Sequence, residues 1–356
     1  MWCDSQTYVN PIYHQLWSYR TSQRKLGIMR IAEMTLLLLV FLGSAFAGDK
    51  RAEAEALFAR ANGALGFGAS SPYTVKGHIR VAEVGEGGVI QSREGTFSKF
   101  VLRAGVWRSE ITLPAYSEIV VRNGERQWIR RNAPFTPVGV ERLVAALGPH
   151  LTIHDKDKVE KVSEEVIGGL HSKCVTLRTK VGNREVCMDA TTGLPLREKS
   201  SSGFPEQVDY EGYSVFGDKQ FPNKIHVSEA GAIVAEFSLE SLSADLPDKS
   251  LFDPLADAVV RPVCDDMKIK PPVPISTPDP AYPETDRRNR VQGVVLLQMV
   301  IDEEGKTHNV MVIRSLNPRL DAEAKAAVLK WRFQPAMCET SPVSRGMKVE
   351  VAFRLY

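Results

Sequence analysis

Strict alternation of apolar and polar residues opens the patterned part of the chain. Tyr73, Val75, Ile79 and Val81 fall on one side, and Thr74, Lys76, His78 and Arg80 on the other, which predicts a strand with one buried face. Similar strand-like runs cover 95–103, 106–113, 116–122, 126–131, 173–180, 184–189, 206–215, 223–229 and 232–242, punctuated by Gly, Asn-Gly and Pro turns. Two segments carry a helical period instead. One is 49–65, with Ala54, Leu57, Phe58, Ala61 and Leu65 in register and Gly66 and Gly68 to stop it. The other is 137–147, with Val140, Leu143, Val144 and Leu147 on one face. Many consecutive strands with only two helices predict an α+β chain built on one large antiparallel sheet, its apolar face covered by those helices and any uncovered remainder a cavity.

The pattern changes after residue 260. From Arg261 to Pro283 the chain reads RPVCDDMKIKPPVPISTPDPAYP, too rich in proline for a helix or a central strand. It predicts an extended linker, semi-rigid in the polyproline manner. Beyond it, Val291–Ile301 and Val310–Arg314 read as strands joined by the turn Asp302–Lys306, with Gly305 where positive φ is needed. Asn317-Pro318 opens a helix whose apolar face is Leu320, Ala324, Ala327, Val328 and Trp331. Trp331–Pro335 ends that helix, and Met347–Tyr356 is a last alternating strand. The order is β-β-α-β, in a unit too small to have much stability to spare. Trp331 and Phe333 are expected to cover its sheet, and Gly293 and Gly305 to relieve its backbone. The expected division is therefore a leader over 1–47, a sheet domain over 49–260, a linker over 261–283 and a small domain over 284–356.

The leader rests on one apolar run, TLLLLVFLGSAFA at 35–47. Thirteen helical residues reach about 20 Å, short of the ~30 Å hydrocarbon core of a bilayer. Arg20, Arg24, Lys25 and Arg30 precede it, and Ala45-Phe46-Ala47 places small residues at a cleavage site. Together these predict a secretory signal cleaved near Ala47 and a periplasmic product; the alternative is an inner-membrane anchor facing the periplasm. Residues 1–28 are read as a start-site artefact, with Met29 or Met34 the initiator. Loss of Cys3 leaves Cys174, Cys187, Cys264 and Cys338, an even number in an oxidising compartment, with three connectivities open. Cys174 and Cys187 flank a short strand–turn–strand, which favours their pairing and leaves Cys264 to tie the linker to Cys338.

Composition removes several classes of function. At 356 residues, with 43% apolar and 25% charged residues, the chain is neither disordered nor collagen-like. A net charge of +2 gives no electrostatic case for nucleic acid. There is no GxSxG elbow, HExxH or P-loop, and Gly66-Phe-Gly68 and Gly85-Glu-Gly-Gly88 read as turns. His150, His154, Asp155 and Asp157 follow the Gly148-Pro149 break and read as a solvated loop rather than a metal site. Glu164-Glu165 reads as a charged turn, and Cys174 beside His171 lacks the spatial partners of a nucleophile. A non-catalytic protein without cofactor or metal is expected.

Two resemblances add to this reading. The opening helix, the hairpin Cys174–Asp189, the turn Asp189–Arg197 and the closing Phe237–Leu242 resemble the LolA/LppX-type half-barrel of periplasmic lipoprotein carriers, over roughly 49–255. That resemblance implies a concave surface sheltering acyl chains. Residues 279–355 resemble a TonB carboxy-terminal domain throughout: Pro280-Ala-Tyr282-Pro283, Gln292-Gly-Val-Val, Ile301-Asp302…Gly305, Leu320-Asp321…Trp331-Arg-Phe333…Pro335 and Pro342-Val343 before Val349–Leu355. Members of that family add an extended segment of an outer-membrane transporter to the edge of this small sheet. The resemblance implies contacts at Asp279, where the family often has Gln, and at Tyr282 and Pro283. It also implies a pairing edge through Lys348, Val349, Glu350, Val351 and Phe353; the alternative reading of Lys348, Glu350 and Arg354, on one face of that strand, is as gatekeepers against unwanted pairing rather than contacts. The apolar run lacks the polar coupling residue of a motor-coupled transducer, and a globular domain replaces the long Pro-Lys/Pro-Glu spacer. The expected protein is therefore a periplasmic adaptor for an outer-membrane TonB-dependent transporter or another envelope protein. The alternative is a carrier of lipid or another apolar ligand through the LolA-like part.

Overall fold

The computed structural model describes residues 49–66, 72–84, 90–148, 151–180, 182–201, 205–229, 231–245, 248–264 and 269–355. The leader, Gly68, the Gly85–Gly88 cluster and His150 lie outside them. Asp49–Tyr356 form one compact unit.

Helix α1 (Lys50–Ala64) starts at Asp49, whose carboxylate accepts the Arg51 N–H at 3.0 Å. A meander of five strands follows: β1 (Tyr73–Val84), β2 (Ile90–Arg103), β3 (Val106–Thr112), β4 (Ser117–Asn123) and β5 (Arg126–Arg131). After helix α2 (Val138–Leu147) come β6 (Lys158–Ile167), β7 (Leu170–Thr179), β8 (Gly182–Asp189), β9 (Pro195–Ser201), β10 (Pro205–Phe216), β11 (Lys219–Glu229) and β12 (Ala232–Ser243). Pairing of β1 with β12 joins the two meanders. With β13 (Val259–Pro262) beside β5, the result is a single antiparallel sheet of order β13-β5-β4-β3-β2-β1-β12-β11-β10-β9-β8-β7-β6.

The inner face of this sheet holds two clusters. Val140, Leu143 and Leu147 of α2 pack among Tyr73, Phe97, Phe221, Ile225 and Phe237. Ala54, Phe58 and Ala61 of α1 pack on Val175, Leu177, Val186 and Met188. Val144, expected on the buried face of α2, is 44% exposed, and Ala146 is buried in its stead. The outer face is polar. Along one row, Arg197, Asp209, His226, Glu236 and Arg80 stand opposite one another on successive strands. They pair as Arg197–Asp209 at 2.8 Å, His226–Glu236 at 2.9 Å and Arg80–Glu236 at 2.9 Å.

Strands β6 and β9 depart from the sequence reading. Glu164 and Glu165 lie inside β6, opposite Lys173 and Ser172 of β7, and not in a turn. A register shift between Val159 and Lys161 breaks the alternation there, so the run does not show period two. Strand β9 begins at Pro195, inside the segment read as a turn; a proline is tolerated at the first residue of a strand.

The proline-rich segment is pinned at both ends. Beyond β13 it forms β14 (Val273–Ser276), and Cys264 is joined by a disulfide to Cys338. Then follow α3 (Glu284–Arg288), β15 (Gly293–Ile301), β16 (Thr307–Arg314), α4 (Pro318–Val328), β17 (Arg332–Gln334), β18 (Ala336–Cys338), β19 (Ser341–Val343) and β20 (Arg345–Phe353). Asn317 caps α4 by accepting the N–H groups of Arg319 and Leu320. The helix ends at Val328 rather than running to Trp331, because Arg332–Gln334 are drawn out as β17 against β14. Trp331 donates its ring N–H to the Pro278 carbonyl at 3.1 Å, and Phe333 is buried in the core of the small domain.

The small sheet has the order β16-β15-β20. Val295, Leu297, Met299 and Ile301 of β15 face α4 in one core. Leu296, Gln298 and Val300, on the opposite face, are equally buried, at 0–1% exposure. That second face lies against the large sheet and α2: Gln298 Nε2 reaches Glu229 Oε1 of β11 at 3.4 Å. The linker therefore leads directly into a docked small domain, and the unbroken run VVLLQMVI is a strand covered on both sides.

Candidate functional site

Among the described residues no strand lies beyond β20, so it is an edge of the small sheet. Its register against β15 runs from Arg345↔Ile301 to Phe353↔Gly293. In an antiparallel ladder, one residue of an edge strand directs both backbone groups to its neighbour and the next directs both away. Gly346 fixes the phase, because its N–H points out of the sheet to Glu141 of α2, at 3.1 Å. Leu355 agrees, its N–H going to the Gln292 side chain on the β15 side at 2.9 Å. The outward donors are therefore those of Gly346, Lys348, Glu350 and Ala352. Val349, Val351 and Phe353 spend theirs on β15, and their side chains pack toward α4.

The sequence-predicted residues gather at the far end of this edge. Asp279, Pro280, Tyr282, Ala352, Phe353 and Arg354 line a cavity of about 430 Å³. Tyr282 stands edge-on to Phe353, with ring centroids 5.5 Å apart, and its hydroxyl donates to the Val291 carbonyl. Pro283 lies behind them as the residue capping α3. Lys348 is turned away: its Nζ lies 3.5 Å from Glu229, and its side chain is 13% exposed. Glu350 is open to solvent, 3.6 Å from Arg314. The structure thus brings Asp279, Tyr282 and Phe353 together, and sends Lys348 into the junction with the large sheet.

Two carboxylates hold the small domain in shape. Asp286 takes Arg319 at 2.8 and 3.0 Å and Asn317 at 3.0 Å. The Arg319 hydrogen bond, opposed by burial, leaves its carboxyl below the usual range. Burial pushes Asp302 upward, but the Lys306 N–H and His308 ring outweigh it and leave Asp302 low as well. Both groups release their protons more readily folded than unfolded. Their stabilisation is complete above the ordinary carboxylate pKa, near ~4, and is lost as pH falls through their folded values. The thermal midpoint of the chain is expected to fall below about pH 4. A midpoint unchanged down to about pH 2 would contradict this role.

Sequence reasoning missed Glu141, Glu229 and Gln298. Glu229 is 3% exposed and gathers Arg142 at 3.3 Å, Gln298 at 3.4 Å and Lys348 at 3.5 Å. A second tie joins Arg131 and Arg261 of the large sheet to Glu303 in the β15–β16 turn. The available signal was Gln298, a single polar residue inside an apolar run.

Of the remaining candidates, Cys174 and Cys187 stand opposite each other on β7 and β8 and are joined by a disulfide. Glu165 lies close to both sulfurs, but thiols spent in a disulfide bind no metal ion. His154 sits in a turn, its backbone N–H held by Asp157 at 3.0 Å. A cavity of about 860 Å³ is lined by Leu170, Arg197, Asp209, Tyr213, His226 and Ile233 among others. Arg197, Asp209 and His226 belong to the outer polar row, opposite the face packed on α2. No helix among the described residues is long and apolar enough to cross a membrane.

Comparison with known proteins separates the two parts. The large sheet is similar to a LolA superfamily protein from Nitrosomonas europaea, 15% identical over 56% of this chain and 96% of that one, with a TM-score of 0.38. A TonB carboxy-terminal domain from Pseudomonas aeruginosa is 27% identical over 26% of this chain and 90% of that one, with a TM-score of 0.22. The protein TonB of Vibrio cholerae serotype O1 is 25% identical over 87 residues, 24% of this chain. The match spans 36% of that relative, about a third of its length. Residues 278–355 match the family of the Gram-negative bacterial TonB protein C-terminal. By this segment, which holds β15, β16, α4 and β20, the chain carries a TonB C-terminal domain.

Proposed function

We propose that the chain is a non-catalytic adaptor of the bacterial envelope that binds an extended segment of a partner protein by strand addition to β20. An outer-membrane TonB-dependent transporter, or another envelope protein, is the partner such a domain implies, and the periplasm is the compartment that suits two disulfides. The observation that carries the reading is the outward phase of Lys348, Glu350 and Ala352 on an edge strand that ends at the Asp279–Tyr282–Phe353 cavity. Main-chain hydrogen bonds would supply the affinity and the cavity a pocket for one side chain.

The test is a proline pair. Ala352→Pro removes an outward donor with no partner among the described residues, and edge strands tolerate proline there. The variant is expected to keep its thermal midpoint and to bind an extended transporter-derived peptide about tenfold more weakly. Val351→Pro instead removes a ladder hydrogen bond between β20 and β15 and should unfold the small domain. Unchanged peptide binding by a folded Ala352→Pro protein would remove strand addition at this edge.

One observation favours the second reading, carriage of lipid or another apolar ligand. The inner face is filled by Tyr73, Phe97, Phe221 and Phe237, whereas the 860 Å³ cavity is open and has Leu170, Tyr213 and Ile233 on its walls beside the polar Arg197, Asp209 and His226. A lipid-like ligand with an apolar body and a polar end would occupy that cavity.

A further inference from the structure

Strand addition to β20 meets an obstacle built into the same chain. The first outward donor of β20 is already engaged. Glu141 Oε2 accepts the Gly346 N–H at 3.1 Å, in the position that a carbonyl of an added strand would take. The other carboxylate oxygen lies 3.5 Å from Arg345 Nη1. Glycine at 346 lets the helix come this close: a Cβ there would lie 3.0 Å from the Glu141 oxygen and 3.5 Å from Val138, also of α2. Two residues further on, the Lys348 side chain is drawn to Glu229. The large sheet domain therefore grips the first half of the edge and leaves the second half open. A carboxylate is a strong acceptor for a backbone N–H, and covering an edge is how sheets avoid indiscriminate pairing.

We propose, on the premise of strand addition at β20, that α2 is a built-in cap on the docking edge: Glu141 occupies the Gly346 donor, so that a partner strand pairs only along 348–354, and release of Glu141 lengthens the edge. The cap selects for short extended segments. It also makes access to the rest of the edge depend on how firmly the small domain is docked on the large sheet.

Glu141→Ala in the full chain tests the cap. Amide hydrogen exchange reads it without any ligand. Gly346 should be protected in the wild type and exchange at least about tenfold faster in the variant, while Val349 and Val351, which serve the ladder, stay protected. Glu141→Gln, which keeps an acceptor, should restore most of the protection. Calorimetric titration then uses two alternating Thr–Val peptides, of six and ten residues, each with two leading lysines for solubility. The wild type should bind both equally, and Glu141→Ala should bind the longer one about five- to tenfold more tightly while leaving the shorter unchanged. Equal binding of the two peptides by Glu141→Ala, or unaltered Gly346 exchange, overturns the cap but leaves strand addition standing. Failure of either peptide to bind either protein overturns strand addition, and the cap with it.

Discussion

Replacing Glu229 with alanine is expected to destabilise the chain by about 3–5 kcal/mol, the range seen when one partner of a buried ion pair is removed. Glu229 is the shared acceptor where the small sheet meets the large one. Its side chain is 2% exposed, and Lys348 beside it is 13% exposed. Without Glu229 the Lys348 ammonium loses the carboxylate 3.5 Å from it, although Glu206 stays within electrostatic reach, and the buried Gln298 amide loses the acceptor of its N–H. Arg142 is less affected, since Glu206 remains 3.4 Å away. The cluster is not ideally satisfied even in the intact protein, because Glu229 Oε2 and Gln298 Oε1 have no hydrogen-bond partner among the described residues. An apolar junction should therefore serve nearly as well. The triple variant Glu229→Leu, Gln298→Leu, Lys348→Met is expected to return to within about 1 kcal/mol of the wild type. Denaturant unfolding of both variants decides the matter. A single variant as stable as the wild type would mean that the two sheets are held by other contacts, such as the Arg131–Glu303–Arg261 tie.

The sequence displays the parts of this protein better than their assembly. Period two in Tyr73–Val81 and helical spacing in Ala54, Phe58 and Ala61 are local facts, because each pattern reports one face turned toward a core. The turn at Gly305 and the cap at Asn317 are legible for the same reason. Strand β6 is not, because the shift at Val159/Lys161 hides its period and its acidic residues suit a turn equally well. Docking of the small domain is likewise concealed. The run VVLLQMVI states that β15 is buried on both faces, but not which element covers the second face. The partners look like ordinary surface acids: Glu229 lies 69 residues before the Gln298 it meets, and Glu141 lies 205 residues before Gly346. Position along the edge was legible, and phase was not. Alternation marks 348–355 as a strand, yet only the direction of the Gly346 N–H shows that the even-numbered residues offer their backbone to a partner.

Substitution of Gly305 by valine should cost more than any conformational penalty alone can explain. Gly305 sits at φ +78° in the β15–β16 turn, where a β-branched residue is disfavoured by roughly 1–2 kcal/mol. Space is the larger difficulty: a Cβ at this position would lie 1.8 Å from the Phe333 carbonyl oxygen, a backbone atom of β17 that cannot rotate away. The same backbone contact carries a hydrogen bond, from the Phe333 N–H to the Gly305 carbonyl at 2.9 Å. Valine must therefore push β17 off the turn, taking with it the Phe333 ring, 4% exposed in the core, and the pairing of β17 with β14. Gly105 provides the control, with φ +73° in the β2–β3 turn and nothing within 4 Å of its Cβ position. Gly105→Val should lose about 1–2 kcal/mol, and Gly305→Val about 4 kcal/mol or more. A unit this small has little stability of its own to lose, so in Gly305→Val the amide protection of 293–353 should collapse while that of β1–β12 persists. Equal losses in the two variants would show that β17 yields freely, and that the turn is not the keystone of the small domain.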